Sequence, residues 1–259
     1  NLPDIQAGDG KVWFVPWDGK ATDAAMLLFL ALSLLAYVEL PASEGRRRLW
    51  LAAGFGAATG LAFLAKYAAV YALIGLALHL LISREARAIW SLKTAALALG
   101  AFLLVLAPNL AWNAAHGFST VQHTAANANW SGQKLFNFQE LSDFVLSQFG
   151  VFGPIPFAVL IGGAVLLAVR RRLQPADLLL LCYAMPPLLI VTLQSFISRA
   201  NANWAGAGYV AGVVLAAAWL VRWRARWWLI GAVVMQAVVA AVFLACVLMP
   251  PLADTLGPS

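Results

Sequence analysis

LWLAAGFGAATGLAFLAKYAAVYALIGLALHLLI, residues 49–82, decides the class of this protein. Its 34 residues carry one ammonium, Lys66, and one imidazole, His79, in an otherwise apolar setting. As a single helix, at about 1.5 Å per residue, the stretch would reach ~51 Å. That exceeds the ~30 Å hydrocarbon core of a bilayer. Arginines bracket it, with Arg46, Arg47 and Arg48 before and Arg84 and Arg87 after, and basic loops favour the cytoplasmic side. The charge rule therefore asks for a reversal with Lys66 at its outer tip. No Gly or Pro stands in FLAKYAA to make the turn, so a hairpin and a broken helix both stay open.

The rest of the chain has the same character. Of 259 residues, 63% are apolar and 11% charged, and the mean hydropathy is +0.81. Soluble domains carry about 25% charged residues, and a disordered chain needs the opposite composition. Cys182 and Cys246 are the only cysteines and both lie in apolar runs, which excludes a disulfide scaffold. Apolar runs fall near 22–40, 49–65, 67–82, 94–111, 144–169, 178–197, 205–221 and 227–249. They predict an all-α, polytopic transmembrane bundle of about eight spans. The runs are continuous rather than alternating, which favours helices over a barrel.

Twelve of the 17 Lys and Arg fall in alternate loops, which the positive-inside rule assigns to the cytoplasm. Both chain ends then lie outside. Residues 1–21 are expected to form a polar outer leader, 22–249 the membrane domain with an outer loop at 112–143, and 250–259 an outer tail. The same asymmetry accounts for the net charge of +6 and removes nucleic acid as a partner. Pro154 and Pro156, and Pro186 and Pro187, predict kinks in the spans that hold them. Gly208 and Gly212, four apart, allow a close helix contact.

The candidate chemistry gathers on the outer face. ANANW occurs at 126–130 and again at 200–204. Asn127, Asn129, Asn201 and Asn203 either form an amide pocket suited to hydroxyl-rich ligands or make two Asn-rich turns beside an interfacial Trp. Asp23, after Thr22, is either a first-turn acid favoured by the helix dipole or a carboxylate facing a membrane cavity. Lys66 is the informative cation, since a charge between apolar runs is costly and usually functional. It meets a phosphate as a point charge or snorkels to the headgroups. Arg199 pairs with a phosphate or anchors a helix end. His116 and His123, seven apart, would join a carboxylate around a divalent cation if that segment were helical. His123 is the better candidate, and His79 reads as structural.

TDAAMLLF at 22–29, GLAFLAKY at 60–67, PNLAWNAAHGF at 108–118 followed by HTAANANW, and SRANANWAGAGYV at 198–210 carry a family likeness. With these segments the chain resembles the GT-C class membrane glycosyltransferases. It is most similar to dolichyl-phosphate-mannose protein mannosyltransferases and to the aminoarabinose transferases of lipid A. The resemblance implies a multi-pass enzyme of a bacterial inner membrane. Such an enzyme takes a sugar from a polyprenyl-phosphate carrier and passes it to a lipid, glycan or protein hydroxyl on the periplasmic face, with inversion and a carboxylate base. It implies a cavity acid at Asp23, a carrier-phosphate contact at Lys66, and a polar or metal role for His123. Such enzymes also carry an acidic motif in the first outer loop, and nothing here matches it, so the chain is expected to begin downstream of that motif. The alternatives are a transporter or flippase for a lipid-linked glycan, and a scaffold that keeps the fold without the chemistry.

Overall fold

A computed structural model describes residues 20–118 and 136–248. Among them the secondary structure is entirely helical. Ten α-helices follow one another: α1 (Lys20–Glu39), α2 (Gly45–Ala65), α3 (Val70–Ile82), α4 (Arg84–Ile89), α5 (Leu92–Ala115), α6 (Phe138–Val151), α7 (Pro154–Val169), α8 (Pro175–Ile197), α9 (Tyr209–Arg222) and α10 (Arg226–Leu248). Short 3-10 turns precede α3 (Tyr67–Ala69) and α9 (Ala202–Gly208). Helix is the forced solution here, because lipid offers nothing to satisfy an open backbone. The ends are closed by side chains, as where Ser91 and Thr94 cap α5 reciprocally and Gln174 and Asp177 do the same for α8.

Each of the eight apolar runs is helical, but six helices are long and apolar enough to cross a membrane, or seven if the bent α6–α7 pair counts as one. Two runs therefore differ from the expectation of about eight full spans. The run at 67–82 is a shorter apolar helix. The run at 144–169 is not one kinked span: α6 and α7 meet at 114°. Gly153 makes that corner with φ +92°, a value that L side chains avoid, and Pro154 then opens α7. Pro186 and Pro187, by contrast, lie inside a continuous α8.

The question at Lys66 resolves without glycine. Lys66 has φ −161° and ψ 133°, extended backbone open to any residue, and this single residue ends α2. Beyond it the chain reverses. Lys66 lies against Asp23 at the start of α1, whereas His79 of α3 meets Tyr37 near the end of α1 (Tyr37 Oη to His79 Nδ1, 2.9 Å). The helix α3 leaves α2 and packs on α8, while α2 is clasped between α1 and α5. Ser33 and Thr59 join α1 to α2 across 2.7 Å. His79 is thus structural, as expected.

Arg47, Arg48 and Arg222 stand at helix ends remote from Asp23. Arg47 pairs with Glu39 at 2.7 Å, and Arg48 donates to the carbonyl of Ile89. Arg222 grips the buried Asp177 through both guanidinium nitrogens, at 2.8 and 2.9 Å, and Trp219 Nε1 donates to the same carboxylate at 3.0 Å. A charge removed from water needs this complete pairing.

Close approach of α2 to α5 depends on Gly56, where an added Cβ would stand 1.9 Å from the carbonyl oxygen of Ala98. Gly208 likewise lets the turn before α9 reach the Ala184 carbonyl, at 2.5 Å from its virtual Cβ. Gly56→Leu is expected to cost at least about 1–3 kcal/mol by overpacking. Gly54→Leu, with open space at its Cβ, is expected to be tolerated. Thermal unfolding of the two variants in detergent checks this, and equal melting temperatures would refute the contact.

Candidate functional site

The first turn of α1, the break after α2 and the turn before α9 meet at one point. Lys66 Nζ donates to Asp23 Oδ1 at 2.5 Å, and Asn203 Nδ2 donates to Asp23 Oδ2 at 2.8 Å. The side chains of Lys66 and Asp23 are 29% and 22% exposed, so the pair is not sealed inside the protein. Asp23 keeps the favourable first-turn position while it accepts from both partners.

Two members of this cluster, Asp23 and Asn203, head an apolar groove of about 660 Å³, and Lys66 stands behind Asp23 off its wall. Asp23, Asn203 and Gln236 supply polar atoms to its wall, and Leu27, Val213, Leu220 and Leu229 extend the wall away from them along α1, α9 and α10. A charged mouth above a long apolar trough suits an amphiphile with an anionic head.

The turn bearing Asn203 is itself fixed. Gln148 of α6 is buried; its amide donates to the Ala202 carbonyl at 3.2 Å, and its oxygen accepts from the Tyr209 hydroxyl. Phe152 stacks on the Tyr209 ring, centroids 4.3 Å apart. Because α6 turns away at Gly153, it carries Gln148 across this end of the bundle and under the turn.

The remaining candidates divide. Asn201 is exposed, and its carbonyl accepts from Trp204 N at 3.0 Å. Arg199 is exposed beyond α8, and its guanidinium makes no ion pair among the described residues. Asn127, Asn129 and His123 lie outside the described residues. His116 stacks on Trp112 at 4.3 Å, with Nδ1 2.8 Å from the Trp112 carbonyl. No group of three His, Cys, Asp or Glu side chains that could hold a metal ion occurs among the described residues.

Sequence reasoning missed a neighbouring cluster. Tyr67, next to Lys66, donates to Asn109 Oδ1 at 3.0 Å, and Asn113 Nδ2 donates to the Asn109 carbonyl at 3.0 Å and side-chain oxygen at 3.2 Å. Asn113 is buried and its Oδ1 has no partner among the described residues. The signal was available: two amides four apart on an apolar helix share a face.

Residues 12–112 match the family described as dolichyl-phosphate-mannose-protein mannosyltransferase. The chain is also similar to the lipid A galacturonosyltransferase RgtD of Rhizobium johnstonii, with 39% identity over 200 residues, covering 77% of this chain and 41% of that relative. It therefore spans less than half the length of the curated relative it matches. No solved structure matches it.

Contact between Asp23 and Lys66 predicts non-additive stability. In a double-mutant cycle of Asp23→Asn and Lys66→Met, unfolding in detergent is expected to show a coupling of roughly 0.5–3 kcal/mol. Strict additivity would mean that the pair does not form.

Proposed function

Since the chain belongs with the GT-C class membrane glycosyltransferases, we propose that the Asp23–Lys66–Asn203 cluster receives the phosphate of a polyprenyl-linked sugar donor. The groove below it takes the prenyl chain. The observation that supports this reading is that Asp23 and Asn203 line the mouth of an apolar trough while Asp23 is paired with Lys66. In this reading the arginine-rich end faces the cytoplasm, as the positive-inside rule favours, and the cluster faces the periplasm of the bacterial inner membrane that the family likeness implies.

In the resting state the carboxylate of Asp23 neutralises Lys66 and sets the direction of its ammonium. An arriving phosphate shares that ammonium, which then stabilises the negative charge left on the carrier when the bond to the sugar breaks. Asn203, held by Asp23, donates from its amide to a sugar hydroxyl or to the phosphate. Asn201, Arg199 and the amides Asn127 and Asn129 are proposed to complete the polar rim, with His123 as the position for any divalent ion. Asp23 is the acidic member of this site.

Lys66→Ala and Asp23→Asn, placed in the full-length protein, are expected to lower sugar transfer by at least ~100-fold with expression unchanged. Transfer of radiolabelled sugar from a polyprenyl phosphate in proteoliposomes measures it. Wild-type turnover by both variants would sink the site. Label that crosses the bilayer while keeping its covalent attachment would instead identify a flippase.

A further inference from the structure

A second groove opens towards the opposite end of the bundle, because α3 departs from α2 to pack on α8. It measures about 500 Å³ and runs between α2, α3 and α5, with Phe55, Leu76 and Ala98 in its walls. Thr59 is satisfied by Ser33 and by the Phe55 carbonyl, so the walls offer no free polar group from that residue. Arg87 and Trp90 close the arginine end.

Arg87 is placed by α4, the short helix that Ser83 caps. Its Nη1 donates to the carbonyls of Leu80 and Leu81 at 2.5 and 3.1 Å, the last turn of α3. A guanidinium has five N–H groups, and Nη2 and Nε remain unengaged among the described residues. No carboxylate lies within ion-pair distance of Arg87 among those residues. Glu85, the one acid on α4, is two positions away and so faces elsewhere. Arg84 on the same short helix and Lys93 in the first turn of α5 add positive charge nearby in the chain.

We propose that this groove is a binding site for an anionic phospholipid of the leaflet that meets the arginine-rich end. One acyl chain lies along α3 and α5, and the phosphate accepts from the free edge of Arg87. The apolar walls cannot select the lipid, since the bilayer around them is equally apolar. Selection falls to the head, where a fork of fixed donors meets a phosphate, as basic pockets between spanning helices do for anionic headgroups. The site is independent of the carrier-binding reading and at the other end of the bundle.

The test uses the whole chain reconstituted in nanodiscs of phosphatidylethanolamine and phosphatidylglycerol, with native mass spectrometry of the lipid that stays bound. The wild type is expected to retain phosphatidylglycerol at least about fivefold over its share of the bilayer. Arg87→Gln is expected to bring retention back to that share, while Arg172→Gln, at the same end but off the groove, leaves it unchanged. Leu99→Trp and Ala95→Phe, which fill the groove from α5, are expected to lower retention of both lipids, and two filling positions guard against one that fails to fold. Wild-type retention at the bulk ratio would overturn the proposal. So would equal losses in Arg87→Gln and Arg172→Gln, or full retention in a folded groove-filling variant.

Discussion

An ammonium carried into an apolar bundle must find a countercharge, and Lys66 finds Asp23. Much of the architecture at that end follows from this pairing. It ties the end of α2 to the start of α1, so the chain turns back at Lys66 without a turn residue. It also gives Asn203 an acceptor, which draws the turn before α9 over the same point. Three segments separated by 43 and 180 residues along the chain are thus drawn together by one carboxylate. The pair is partly exposed, so either partner can be approached from outside the protein.

The same rule, that polar groups in lipid must be answered, explains the opposite end and the corner between α6 and α7. Asp177 is answered by Arg222 and Trp219. At the corner, Phe152 closes the C-terminal end of α6, so its carbonyl is one of the acceptors that a helix end leaves unpaired. Gln236 of α10 supplies a donor at 2.9 Å. Gly153 is needed there for its positive φ, and an added Cβ would also press on the Gln236 amide, the flexible end of a side chain. A side chain on one helix thereby completes the backbone of another.

The sequence made the class legible because composition and arginine spacing act over whole loops. It made Lys66 legible because a lone cation in 34 apolar residues has few structural explanations. Asp23 and Asn203 were visible as candidates, but not as partners, since nothing local encodes a contact across 180 residues. The corner at Gly153 was hidden because α6 and α7 are both apolar enough to read as one kinked run. Their separation depends on Gln148 finding Tyr209 and the Ala202 carbonyl. Tyr67, Asn109 and Asn113 were overlooked for a different reason: each is unremarkable alone, and the pattern is the i, i+4 spacing of the two amides.

The looseness of α10 is consistent with these constraints. It packs lightly on α7 and α9, and its one polar tie to the bundle among the described residues is Gln236 to the Phe152 carbonyl. Gln236 also lines the groove headed by Asp23. A helix packed along its whole length would fill that trough with side chains. A helix tied at a single point leaves a wall of Leu229, Ala232 and Val233 standing off from α9, with a long apolar space between. The end of α6 therefore has a consequence for the groove: its Phe152 carbonyl ties α10 to the bundle through Gln236, and that same side chain lines the space headed by Asp23 and Asn203.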